Sequence, residues 1–143
     1  MKLYGYRSLY SNSYYIPANI SIPSFNIFKP ITFLMDTGCE ITTINYSDAR
    51  NFNIHSITGE VLKSKGIGGI RVNNVPLYGC AVYYFLNNYT SIHFETLNII
   101  HVSKPDISPQ NYDVIMSLPS LLGMDFLQRY KICFERNQVI LEK

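Results

Sequence analysis

The triplet Asp36-Thr37-Gly38 is where this sequence is equipped for chemistry. It ends an apolar run, Ile31-Thr32-Phe33-Leu34-Met35, and leads into Cys39-Glu40-Ile41-Thr42-Thr43-Ile44. A carboxylate at the mouth of a strand, backed by a small hydroxyl residue and a glycine, is suited to acid–base work on a water molecule. When two carboxylates face each other, the water between them can attack a carbonyl. One carboxylate takes the water's proton, and the other, protonated, donates to the carbonyl oxygen. Two such groups cannot both ionise cheaply, so they share one proton and titrate as a pair. The triplet occurs once. One chain therefore supplies half of such a site, and a second copy is expected to supply the rest. Gly38 allows the tight turn and the close approach of N–H donors to the carboxylate.

Taken alone, Asp-Thr-Gly is a common turn and Gly66 to Gly69 a common hairpin tip, so the context decides. Much later comes Ser120-Leu121-Leu122-Gly123-Met124-Asp125-Phe126-Leu127, and between the two lies Lys65-Gly66-Ile67-Gly68-Gly69. These three motifs, in this order over roughly Ile31 to Leu141, resemble the retropepsin-like aspartic proteases, the single-domain relatives of retroviral proteases. The resemblance implies a closed, mainly β retropepsin-like barrel with one short C-terminal helix and a flap hairpin. It implies an aspartic endopeptidase acting on a peptide or protein substrate as a homodimer, with no cofactor and no metal.

Carried onto this sequence, the resemblance gives each site residue a role. Asp36 is the catalytic carboxylate. The Thr37 hydroxyl crosses the dimer axis to the partner's backbone, and Gly38 completes the catalytic turn. Glu40 contacts substrate backbone at the cleft wall. Gly66, Ile67 and Gly68 form the flap, with Ile67 at its tip closing over the peptide. The two chains are expected to meet at Asp36–Gly38 and along Gln138–Leu141. Cys39 stands where family members carry Ala or Ser. A serine there would donate to the dyad and lower its pKa, whereas a thiol is a weak donor and leaves the dyad titrating higher. Retroviral members often carry an ion-paired Arg after the later glycine; here it is Met124, as in cellular and microbial relatives. Asp125 is then expected to cap the following helix near its positive end.

The elements that must position these residues read as a mainly β chain. Ile16, Ala18, Ile20 and Ile22 alternate with polar neighbours, so 15–22 is a strand with one buried face. Pro23 to Asn26 is a turn, and Ile31 to Met35 returns as a buried strand into Asp36. Thr42 to Ile44 is a further β-branched run, and Ser47-Asp48 is expected to cap a short helix through Asn51. Val61–Lys65 and Ile70–Val75 flank the glycines as hairpin arms. Leu77–Leu86 and Ser91–Val102 read as long strands, Ser103–Asp113 as a loop and Val114-Ile115-Met116 as a short strand. Gly123–Tyr130 reads as the helix, and Lys131–Phe134 with Gln138–Leu141 as a closing hairpin. Residues 1–13 are polar and Tyr-rich and are expected to be only partly ordered, by packing. Residues 1–143 are expected to be one domain.

Composition narrows the rest. The chain is 47% hydrophobic and only 15% charged, which fits a protein that buries surface against a partner. A net charge of +2 with scattered Lys and Arg does not point to nucleic acid. Three cysteines without CxxC spacing suggest no disulfide framework and no zinc site, and point to a reducing, cytoplasmic setting. His55, His93 and His101 lack ligand spacing. No run is long enough for a membrane span, and residues 1–7 lack the apolar core of a signal peptide. The competing reading is a catalytically idle retropepsin-fold dimer that serves binding or assembly. A third is a processing protease confined to its own polyprotein partner.

Overall fold

The computed structural model describes residues 1–65, 71–86 and 91–143, with side chains left out at 64, 65, 71, 85 and 86. Among the described residues ten strands form one sheet: β1 (Lys2–Arg7), β2 (Tyr14–Ile22), β3 (Ile27–Met35), β4 (Thr43–Ile44), β5 (Leu62–Lys65), β6 (Arg71–Leu86), β7 (Ser91–Lys104), β8 (Ser120–Leu122), β9 (Lys131–Phe134) and β10 (Gln138–Glu142). Their order is β5-β6-β7-β4-β8-β3-β2-β1-β10-β9, and β6 pairs a second time, with β2. That extra pairing closes β6, β7, β4, β8, β3 and β2 into a six-stranded barrel. Gly79 has φ +69° and sits just ahead of the β6 residues that close on β2, Ala81 to Tyr83. A residue free to take that angle bends the strand where it must serve two neighbours.

The core follows from period-two patterning. Ile16, Ala18, Ile20 and Ile22 all point inward from β2, as their alternation predicts. β3 is less buried than its sequence suggests: Ile31 and Phe33 are in the core, Thr32 is exposed, and Leu34 and Met35 are partly covered. Leu97, Ile100, Leu122, Phe126, Leu127 and Leu141 join them in one continuous cluster.

Several expectations need correction. Residues 2–7 form β1, which pairs with both β2 and β10. The signal is faint because one inward position is Gly5, where a Cβ would sit 2.4 Å from the Tyr15 carbonyl oxygen. Val114–Met116 is not a strand; it lies within α2 (Tyr112–Ser117), where Ile115 alone is buried. Leu118, held extended ahead of Pro119, ends that helix. α1 (Tyr46–Asn51) starts one residue before Ser47, and its N-cap Asn45 makes no side-chain cap bond. Asp48 instead accepts from the Ser120 hydroxyl at 2.6 Å, tying α1 to β8. The later helix, α3, is only Met124–Leu127, followed by tight turns to Tyr130. Among the described residues there are thus three short α-helices where the sequence suggested two, α2 being the addition. The chain's ends lie together: the Met1 ammonium donates to the Lys143 carbonyl and the Lys143 N–H to the Met1 carbonyl.

Candidate active site

Asp36 leaves the end of β3 one residue after the pairing with β8. β8 runs parallel to β3, with Met35 beside Leu122, and antiparallel to β4, with Leu121 beside Thr43. The segment from Asp36 to Thr42 therefore loops from one neighbour of β8 to the other. Its backbone is fastened at both ends and in the middle. The Asp36 N–H donates to the Leu122 carbonyl at 3.1 Å. The Met124 N–H donates to the Cys39 carbonyl at 2.8 Å and the Asp125 N–H to the Glu40 carbonyl at 2.9 Å. Gly123 makes this approach possible: a Cβ there would lie 2.7 Å from the Ile41 carbonyl carbon and 2.9 Å from the Thr42 nitrogen.

Within the loop the carboxylate folds back on its own turn. The Gly38 N–H donates to Asp36 Oδ1 at 2.9 Å, and the Cys39 N–H to the Asp36 carbonyl at 3.2 Å. One carboxylate oxygen is thus oriented by the backbone. Asp36 is half-buried, while Thr37, Gly38 and Glu40 are exposed in the single chain. The structure places these four residues on one loop; Gly66, Ile67 and Gly68 lie outside the described residues. The arms that lead to them do pair as a hairpin, from Leu62 beside Asn74 to Lys65 beside Arg71.

Cys39 does not turn its thiol to the carboxylate as a donor. Its Sγ lies 3.0 Å from the Ile41 carbonyl oxygen, to which it donates, and 3.9 Å from Thr43 Oγ1. Burial pushes the Cys39 thiol up from its ordinary pKa, against the lowering effect of those two bonds. The three cysteines are free.

No protein-family model matches the chain, and no curated protein matches it in sequence. A solved structure does match: a retropepsin-like aspartic protease from Rickettsia conorii, at 18% identity and a TM-score of 0.53, over 99% of this chain and 90% of that one. The chain has the retropepsin-like fold. EIAV protease complexed with the inhibitor HBY-793 aligns at 16% identity and a TM-score of 0.43, over 80% of this chain and 85% of that one. The retroviral protease-like domain of Ddi1 from Leishmania major aligns at 11% identity and 0.46, over 84% and 80%. At these identities the likeness concerns the fold.

Two groups of residues in this retropepsin-like barrel escaped the sequence reading. Asp125 is more than a helix cap: its Oδ1 accepts from the Phe126 N–H at 2.9 Å, but also from the Thr42 N–H at 3.0 Å and the Thr42 hydroxyl at 2.8 Å. Glu95 on β7 is the other. It is 9% exposed and takes hydrogen bonds from Lys143, Tyr130, His93 and Arg129. Burial alone would raise its pKa; those donors outweigh burial and hold it at about 2. A signal for Glu95 was present, since it shares a strand face with Leu97, which is 1% exposed. Arg129 also donates from Nε to the Asp125 carbonyl at 3.0 Å.

Among the described residues no helix is long and apolar enough to cross a membrane.

Proposed function

We propose that this chain is an aspartic endopeptidase that works as a homodimer, with residues 1–143 as one protease domain and Asp36 from each copy forming the catalytic pair. The observation that carries the reading is the placement of Asp36. In a retropepsin-like fold it sits at the strand end between the two neighbours of β8, its carboxylate oriented by the Gly38 N–H, on a loop whose Thr37 and Gly38 are uncovered in one chain. Those uncovered residues are where a second copy would bring its own Asp36.

Two carboxylates at that axis would hold one proton and one water between them. The ionised one takes the water's proton as oxygen attacks the scissile carbonyl, and the protonated one donates to the carbonyl oxygen. Thr37 would brace the two loops across the axis, Glu40 would line the peptide cleft, and Gly66, Ile67 and Gly68 would close over it and exclude water. The machinery is a water and two carboxylates, so neither cofactor nor metal is part of the proposal. Neither nucleic acid nor a membrane is part of it either, and the proposed setting is the cytoplasm.

The dimer contact needs one revision of geometry. Gln138–Leu141 is part of β10, and β10 has β1 on one edge and β9 on the other. A second chain would therefore meet β10 through side chains and not by adding a strand to it. The deciding experiment incubates the protein with an unstructured protein substrate from pH 3 to 7, beside an Asp36→Asn control. Cleavage that disappears in the control supports the enzyme; no cleavage by either supports the idle binding or assembly module.

A further inference from the structure

The far end of the Asp36 loop is held by a lock that the catalytic reading does not use. Thr42 is fully buried. All of its polar atoms are engaged. Its N–H and hydroxyl both donate to Asp125 Oδ1, its Oγ1 accepts from the Gly123 N–H at 3.2 Å, and its carbonyl accepts from the His101 N–H at 3.0 Å. Asp125 concentrates on the same contact. One oxygen collects three donors, while Oδ2 is buried with no hydrogen-bond partner among the described residues. A side chain serving only its own helix would need the Phe126 bond alone. The two bonds to Thr42 instead reach across 83 positions of sequence.

We propose that Thr42 and Asp125 are positioning residues that set the Asp36–Glu40 turn on the 122–125 segment. The role in catalysis rests on the aspartic-protease reading above; the mechanical role does not. The turn has no covalent or sheet constraint between Asp36 and Thr43. Its height is fixed by the Leu122 contact at one end, by Met124 and Asp125 N–H groups in the middle, and by the Asp125–Thr42 lock at the other. Asp125 joins two of these three fastenings, because its N–H holds Glu40 and its carboxylate holds Thr42. A charged acceptor makes the lock stronger than a neutral one would. Released, the turn keeps its fold but loses the fixed orientation of the carboxylate, and small displacements of a catalytic group cost rate heavily.

The test compares Thr42→Val, which keeps shape and removes the hydroxyl, with Thr42→Ser, which restores it. Asp125→Ala removes the acceptor in a residue suited to a helix and carries the test where Thr42→Val fails to fold. Residue-resolved amide hydrogen exchange is read at Gly38 and Cys39, whose N–H groups bond to Asp36 and not to the lock. Thr42→Val and Asp125→Ala should speed exchange there by about tenfold or more, the scale of a lost hydrogen bond, with β6 and β7 unchanged; Thr42→Ser should match the parent. In peptide hydrolysis the same two variants should lose about tenfold or more in kcat with KM little changed. Unaltered exchange at Gly38 and Cys39, or a uniform rise across the barrel, overturns the proposal. Local loosening in a protein whose parent shows no Asp36-dependent cleavage would leave the lock standing and remove the enzyme reading instead.

Discussion

Glu95 should make this fold acid-labile in a defined window, and Glu95→Gln should remove most of that dependence. The carboxyl is held at about 2 in the fold against an ordinary 4.5. That is a roughly 300-fold preference for the ionised form, worth about 3 kcal/mol. The two cationic partners temper it, since Arg129 and Lys143 have side chains 31% and 45% exposed and are partly screened by water. An expected contribution of about 2 kcal/mol follows. The folded pKa is depressed, so this stability is fully present above pH 4.5 and drains away as pH falls from there toward 2. Gln keeps the side chain's size and an acceptor oxygen for the buried Tyr130 hydroxyl, but no charge. Urea unfolding at fixed protein concentration from pH 7 to 2.5 should show the variant about 2 kcal/mol less stable near neutrality. The gap should close steadily below pH 4.5. A gap of the same size at every pH would mean that Gln harms packing and that the charge contributes nothing, which refutes the reasoning.

Asp36→Asn should abolish peptidase activity with stability level or raised, because the amide takes no proton from water and relieves repulsion in the pair; activity above a few per cent of the parent would place water activation elsewhere. Thr37→Ala should weaken dimerisation more than chemistry, each lost bond costing about 0.5–1.5 kcal/mol and counting twice by symmetry, so activity should recover as concentration rises; sedimentation and dilution assays check both. Cys39→Ser should leave the acidic limb of the kcat/KM profile in place, since the hydroxyl inherits the thiol's acceptor, the Ile41 carbonyl; a shift of that limb to lower pH would show residue 39 facing the carboxylates instead. Gly123→Ala should cost about 3 kcal/mol or prevent folding, because the Cβ would meet only backbone at 2.7–3.0 Å; unchanged thermal unfolding would contradict that packing.

The parts of the fold legible in sequence are those where local pattern and final environment agree. β2 shows its alternation and buries that face. The β9–β10 hairpin carries its own turn residues, and the described arms 62–65 and 71–74 pair antiparallel. Where tertiary contact overrules local pattern, reading fails. Val114-Ile115-Met116 is apolar enough to suggest a strand, yet among the described residues it pairs with no strand and Ile115 is the only buried position of its helix, which ends at Leu118 ahead of Pro119. Ser47-Asp48 looks like a cap, but the Asp48 carboxylate goes to Ser120. β1 hides because its inward residues are one leucine and one glycine.

The candidate site divides in the same way. Asp36, Thr37, Gly38 and Glu40 lie within five consecutive positions, so one short motif sufficed to put them on a single loop. What holds that loop is not contiguous. Thr42 and Asp125 are joined by geometry that β8 creates when it inserts between β3 and β4, and no spacing rule within either motif predicts it. Gly123 carries the same lesson in steric form. Its place beside Asp125 is a matter of sequence, but its need to be glycine arises from the backbone of residues 39–42 lying against it. A motif records which groups meet the reacting atoms. The contacts that fix their positions come from parts of the chain brought together only by folding, and variants there test whether the loop's placement, and not merely its composition, makes the site.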